Sequence, residues 1–125
     1  VFSKNPIYYN PQGLVRHGKL TKQGGSSENY GERSSAAYLQ EFTNYPRSVL
    51  EIKSEGKTVH PTQKPVPLLE YLIKTYTLEG QTVLDCFMGS GSTGVAAKNL
   101  NRNFIGIEKD ETYFNIAKNR IEGNL

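Results

Sequence analysis

Thr82-Val83-Leu84-Asp85-Cys86-Phe87-Met88-Gly89-Ser90-Gly91-Ser92-Thr93-Gly94 decides how this chain folds. A short apolar run ends in a carboxylate, enters a glycine-rich turn and leaves into an amphipathic stretch. Strand, acid, glycine loop and helix in that order describe a nucleotide-type cofactor site. The glycines let backbone approach a ligand closely, and the first turn of the helix offers N–H groups with no partner inside the helix. A second apolar run, Phe104-Ile105-Gly106-Ile107, ends in Glu108. That puts an acid at the tip of the next strand, where it could hold the hydroxyls of a ribose.

The flanking segments fit the same plan. Leu68, Leu69, Leu72, Ile73 and Tyr76 recur at helical spacing after Pro65, and Pro67 suits a first-turn position. Gly80 ends that helix ahead of the Thr82–Leu84 strand. Val95, Ala96 and Leu100 give the following helix an apolar face. Asp110 suits an N-cap for a third helix lined by Tyr113, Ala117 and Ile121, with Gly123 just past its end. Helix, strand, helix, strand and helix in succession predict an α/β subdomain with a short parallel sheet over residues 60–125.

Residues 1–59 have another character. They hold eight Lys and Arg against five Glu, whereas residues 60–125 hold seven bases and seven acids, so the net charge of +3 lies in the first half. Five tyrosines, Tyr8, Tyr9, Tyr30, Tyr38 and Tyr45, accompany those bases. Bases mixed with aromatics suit a polyanion with stackable rings, namely nucleic acid, although a polar solvated loop has the same composition. Residues 3–47 show little periodicity and predict a long irregular region, with Gln23–Asn29 as its strongest loop signal. A short helix over Ala36–Phe42, a strand over Ser48–Ile52 and a turn at Ser54–Lys57 are the elements expected here.

The 125 residues make one domain at most, and a single cysteine excludes an internal disulfide framework and fits a reducing cytosol. No apolar run approaches membrane-spanning length, and no secretory signal pattern opens the chain. The first residues are Val1-Phe2 rather than Met, as expected of a fragment or a processed product.

Gly89, Gly91 and Gly94 satisfy G-x-G-x-x-G, and Glu108 follows Gly89 by 19 positions. Two details argue against a dinucleotide. Four residues, Asp85 to Met88, separate strand from glycine, and Asp85 would set negative charge near a pyrophosphate. A carboxylate there suits a ligand with cationic groups, such as the ammonium and sulfonium of S-adenosylmethionine. No Gly-Lys-Ser/Thr follows, which excludes a phosphate-cradling P-loop.

These residues together resemble the C-terminal part of the β-class amino-methyltransferases of DNA, which make N6-methyladenine or N4-methylcytosine. His60-Pro61-Thr62-Gln63-Lys64-Pro65 resembles the family's motif before the first cofactor helix. Asp85 to Thr93 resembles its glycine loop, and Ile107 to Tyr113, running on to Ala117 and Arg120-Ile121, its strand-acid-helix. Phe2-Ser3-Lys4 and Tyr9-Asn10-Pro11-Gln12 resemble the lead into the target-recognition region. The resemblance implies a partial Rossmann-like S-adenosylmethionine methyltransferase fold, preceded by an irregular target-recognition segment over 1–59. It implies that Asp85, Phe87, Gly89 and Ser90, with Gly91 in the same loop, line the methionine end of the cofactor. Glu108 would accept from both ribose hydroxyls, and Thr62, Gln63 and Lys64 would close the site. Cys86 stands where the family usually has Pro, and Ser92 where it usually has Thr.

Structural roles compete for the same residues. Asp85 could cap the loop, Glu108 could face the dipole of the third helix, and Lys64 could be a solvated charge. His60 needs no chemistry, and Cys86 suits a small buried filler better than a nucleophile.

The family's target-base motif, Asp/Asn/Ser-Pro-Pro-Tyr/Phe, is missing, because the chain contains no Pro-Pro pair. Asn5-Pro6-Ile7-Tyr8 is its nearest lookalike, with Ile in place of the second proline. The expectation is therefore the cofactor-binding and DNA-recognition part of a restriction-modification methyltransferase, inactive alone, with no catalytic residue and no metal ligand of its own. The alternative is a non-catalytic DNA- or cofactor-binding remnant. Arg16, Lys19, Lys22 and Arg33 are the candidate contacts to double-stranded DNA. A separate chain carrying the catalytic half, or self-association along an open sheet edge, is the further partner expected, in the cytoplasm and with no membrane.

Overall fold

In the computed structural model, residues 6–22, 37–54, 56, 58 and 60–123 are described. They fall into two units, Pro11–Ser48 and the combination of Val1–Asn10 with Val49–Leu125. The boundary lies at Ser48 rather than at the composition shift near residue 59.

The larger unit is built on a parallel pair of strands, β3 (Thr82–Asp85) and β4 (Asn103–Gly106). Between them runs α2 (Ser92–Asn99), preceded by α1 (Val66–Tyr76) and followed by α3 (Glu111–Glu122). Pro67 occupies the first turn of α1, where its missing N–H breaks no helical bond. The Asp110 side chain accepts from the Tyr113 N–H and caps α3, and Gly123 closes that helix in the left-handed region. Helix α2 ends at Asn99, and Asn101 just beyond it takes φ 56°, a conformation asparagine tolerates well.

Ile73, Ala96 and Ala97 form the core, with Val66, Leu69, Val83, Leu100 and Phe104 packed on them. Helix α2 thus covers one face of the sheet, with α1 packed against α2. The other face presents Leu84, Ile105 and Ile107, each more than half exposed. Parallel strands are ordinarily covered on both faces, whereas the described residues leave this one open.

Glycine is required where the helices close on the sheet. A Cβ at Gly94 would lie 2.7 Å from the Phe104 ring and collide with Ile121. At Gly91, φ is +78° and a Cβ would lie 2.8 Å from that of Ala117. Two glycines of the fingerprint are therefore packing glycines as much as loop glycines.

The smaller unit departs from expectation. In place of an irregular region with a helix over Ala36–Phe42, it forms an antiparallel ribbon of β1 (Val15–Lys22) and β2 (Ala37–Thr43). Leu39 and Phe42 have helical spacing, but Tyr38, Phe42 and Thr43 are strand formers, and pairing with β1 satisfies their backbone. Asn44 steadies the ribbon's end, its amide donating to the Gly13 carbonyl at 2.7 Å. Ser48–Ile52 forms no strand, since none of the described strands pairs with it. Residues 23–36, including the Gly/Ser stretch and Arg33, lie outside the described residues, as do Phe2-Ser3-Lys4, Asn5 and part of the Ser54–Lys57 turn.

Gly94→Ala should lower unfolding stability by about 1–3 kcal/mol through overpacking. Gly56→Ala, where a Cβ meets nothing within 4 Å, should leave it nearly unchanged. Urea unfolding followed by circular dichroism compares the two.

Candidate functional site

Two carboxylates stand at the ends of the paired strands. Asp85 is the last residue of β3, and Glu108 lies two residues beyond Gly106, its register partner on β4. The strand tips are tied together past the regular pairing. The Ile107 N–H donates to the Asp85 carbonyl at 2.9 Å, and the Met88 N–H donates back to the Ile107 carbonyl at 3.0 Å.

Each acid grips the loop between them. Asp85 Oδ1 accepts from the Phe87 N–H at 3.1 Å, and Oδ2 accepts from the Thr93 hydroxyl at 2.6 Å. Glu108 Oε2 accepts from the Gly89 N–H, and Oε1 from the Asp110 N–H, both at 2.9 Å. The bond from Asp110 chiefly holds the Glu108 carboxyl below the usual glutamate range, aided by the Gly89 and Lys109 N–H groups. Partial desolvation and the Asp110 charge oppose the shift without reversing it. An ionised carboxylate offers about four acceptor positions. Each acid therefore keeps acceptor capacity beyond its two loop bonds.

A third anchor comes from α3. Arg120 Nη1 donates to the Ser90 carbonyl at 2.5 Å and to its hydroxyl at 2.9 Å. The Ser90 hydroxyl in turn donates to Gln63 Oε1 at 3.1 Å. This chain of bonds joins α3, the glycine loop and the segment before α1. The His60 ring lies edge-on to Tyr113, with centroids 4.3 Å apart, and closes over Gly89. Its Nδ1 accepts from the Thr62 N–H.

A cavity of about 180 Å³ opens among these groups. Of the expected cofactor residues, Thr62, Gln63, Lys64, Asp85, Phe87, Gly89 and Ser90 line it, joined by His60, Met88 and Thr93. Gly91 does not line it and is buried against Ala117, while Glu108 stands beside it through Gly89. The Lys64 ammonium donates to the Thr62 carbonyl at 2.9 Å. Ser90 is 2 % exposed and its hydroxyl is engaged, so it can meet a ligand only through the loop backbone. Phe87 is 90 % exposed. Cys86 is also exposed rather than buried, because Met88 fills the inner side of the loop instead.

The volume is below the roughly 300–1,000 Å³ of ordinary ligand pockets. These residues alone enclose one part of a nucleotide-sized molecule. Thr93 and Arg120 are the contributors that spacing did not single out. Their partners lie 8 and 30 residues away, and only folding joins them. Among the described residues no His, Cys, Asp and Glu cluster could hold a metal ion, and no helix is long and apolar enough to cross a membrane.

Comparison with known proteins shows the family and the fold. The model of a family described as DNA methylase matches residues 1–119. The type II methyltransferase M2.DpnII of Streptococcus pneumoniae is 56% identical over 63 residues, half of this chain and 24% of that protein. M.HindIII of Haemophilus influenzae is 53% identical over 72 residues, 58% of this chain and 23% of that protein. The matched segment thus spans about a quarter of these relatives. Among solved structures, the M1.HpyAVI–SAM complex superposes with a TM-score of 0.52 at 39% identity, over 67% of this chain and 52% of that one. The cytosine-N4-specific PvuII DNA methyltransferase gives a TM-score of 0.56 at 21% identity, over 74% and 43% of the two chains, a likeness of fold.

Because the Glu108 carboxyl is held low in the folded chain, its contribution to stability is complete above the ordinary glutamate value. It is lost as pH falls through the folded one. Urea midpoints should therefore drop more between neutral and acid pH for the wild type than for Glu108→Gln. Arg120→Met, which leaves Ser90 without its cation, should raise amide hydrogen exchange at Ser90 and Gly91 before it lowers global stability.

Proposed function

The chain belongs to the N6-adenine and N4-cytosine DNA methylase family, and from that premise we propose that it is the cofactor-binding and target-recognition part of an S-adenosylmethionine-dependent DNA amino-methyltransferase. The observation that carries this reading is the pair of strand-tip carboxylates, each bonded to the loop and each with acceptor capacity to spare. Asp85 faces the cavity with negative charge, which suits a ligand that brings an ammonium and a sulfonium and disfavours a pyrophosphate. Glu108, kept ionised by backbone N–H groups, suits two ribose hydroxyls.

Gly89 and the Ser90 backbone bring the loop against the methionine end, with the Phe87 ring beside it. Thr62, Gln63 and Lys64 close the cavity from the segment before α1, and the Lys64 ammonium is within the lining to meet a carboxylate. When bound, S-adenosylmethionine supplies the methyl group. The chain's own residues hold and orient it, and positioning rather than a covalent intermediate supplies the rate. Double-stranded DNA is met by the basic ribbon unit, with Arg16, Lys19 and Arg33 as the candidate cations.

No Pro-Pro pair occurs in these 125 residues, so the chain transfers no methyl group by itself. The exposed Leu84, Ile105 and Ile107 face is covered in the working enzyme by a catalytic half, supplied in cis, by a separate chain or through self-association in the cytoplasm. The missing Pro-Pro pair also favours a second reading, a non-catalytic module that binds cofactor and DNA. Methyl transfer to DNA on adding the catalytic half of a type II relative separates the two.

Calorimetric titration with S-adenosylmethionine tests the cofactor reading, with NAD beside it. Asp85→Asn keeps the shape of the side chain, removes its charge, and should weaken binding about tenfold or more, the scale of one charged hydrogen bond. NAD should give no heat. A folded wild type that binds NAD and ignores S-adenosylmethionine would overturn the proposal.

A further inference from the structure

The ribbon of β1 and β2 has two unlike faces, and its register assigns the paired side chains to one or the other. Lys19 pairs with Gln40, Thr21 with Tyr38 and Arg16 with Phe42. Directly opposed residues of an antiparallel pair share a face. One face therefore carries Arg16, Lys19, Thr21, Tyr38, Gln40 and Phe42. The other carries Val15, Leu20, Lys22, Leu39, Glu41 and Thr43.

The register shifts between Arg16 and Lys19, where His17 and Gly18 oppose Glu41 alone. That bulge keeps Arg16 and Lys19, three positions apart, on the same side, where an unbroken strand would send them to opposite sides. Gly18 takes φ +61°, which suits the bend.

The first face holds two cations and no acid, with an amide, hydroxyls and aromatic rings between them. These are the side chains that read base edges: Arg or Lys for guanine, Gln for adenine, and apolar contact for the thymine methyl. Thr21 donates to Gln40 Oε1 at 3.0 Å, which leaves the two N–H donors of that amide free of this bond. The second face holds the ribbon's one acid and its most exposed aliphatics, with Leu20 75 % and Leu39 58 % exposed. Against phosphates that surface would be unfavourable.

We propose that the Arg16–Lys19–Gln40–Phe42 face of the ribbon enters the major groove of duplex DNA, and that Lys22 does not. The inference rests on the DNA reading given above and narrows it to one surface. A two-stranded ribbon fits this groove, which is about 12 Å wide against a strand spacing of about 4.8 Å. Cations on that face displace condensed counterions, so the loss of each lowers the salt dependence of binding.

Fluorescence anisotropy of the full chain on a pool of random-sequence duplexes, at several salt concentrations, tests this. Arg16→Ala and Lys19→Ala should each weaken binding and take about one unit off the slope of log K against log salt. Arg16→Lys should keep the slope, and Lys22→Ala should leave both affinity and slope near the wild type. Circular dichroism identical to wild type separates these effects from unfolding. If Lys22→Ala costs as much as Arg16→Ala, or if neither Arg16→Ala nor Lys19→Ala changes the slope, the face assignment is overturned and the DNA reading survives. A wild type that binds no duplex overturns the DNA reading and the face assignment with it.

Discussion

Two carboxylate side chains at the tips of neighbouring strands hold a glycine loop between them, and the rest of the site follows from that. Asp85 grips the beginning of the loop through Phe87 and its far side through Thr93. Glu108 grips the middle through Gly89 while its other oxygen starts α3 through Asp110. Paired parallel strands make this possible, because their C-terminal ends emerge side by side and their following turns meet. Backbone N–H groups hold the Glu108 carboxyl below the usual glutamate range without spending a cation on it. The site is thereby left with acceptor capacity beyond the bonds that hold the loop.

The glycines work with the acids. Gly89 gives its N–H to Glu108, whereas Gly91 and Gly94 let α3 and the strand approach α2 to distances that a Cβ would forbid. Arg120 then pins Ser90 from α3, and Gln63 takes the Ser90 hydroxyl from the segment before α1. The loop is thus fixed from both strands, from α3 and from the α1 entry. What the chain does not enclose is equally informative. A cavity of about 180 Å³, a Phe87 ring almost fully exposed and an apolar sheet face all lie open.

The sequence made the larger unit legible because that unit buries a single face of each helix. Apolar residues at helical spacing marked α1, Asp110 and Gly123 marked both ends of α3, and short apolar runs ending in acids marked β3 and β4. The ribbon was not legible. Both its faces are largely exposed, so no apolar alternation records the strand period, and Leu39 with Phe42 imitates a helix. Ser48–Ile52 failed for the complementary reason, since β-forming residues without a paired strand stay irregular. At the site, spacing identified the acids and glycines but gave Thr93 and Arg120 no role, although both fall within the motifs. Their roles depend on partners that only the tertiary fold brings within reach. Cys86 was misjudged because the buried place in the loop belongs to Met88.

The central claim is that the loop between the two strand-tip acids is the cofactor surface, and backbone amide NMR reads it most directly. Adding S-adenosylmethionine to the labelled chain should shift the Phe87, Gly89 and Asp110 amides together, since all three report on the Asp85 and Glu108 carboxylates. The ribbon amides of Val15–Lys22 should stay in place. Shifts that spare these three amides and appear elsewhere, or the same shifts produced by NAD, would contradict the account.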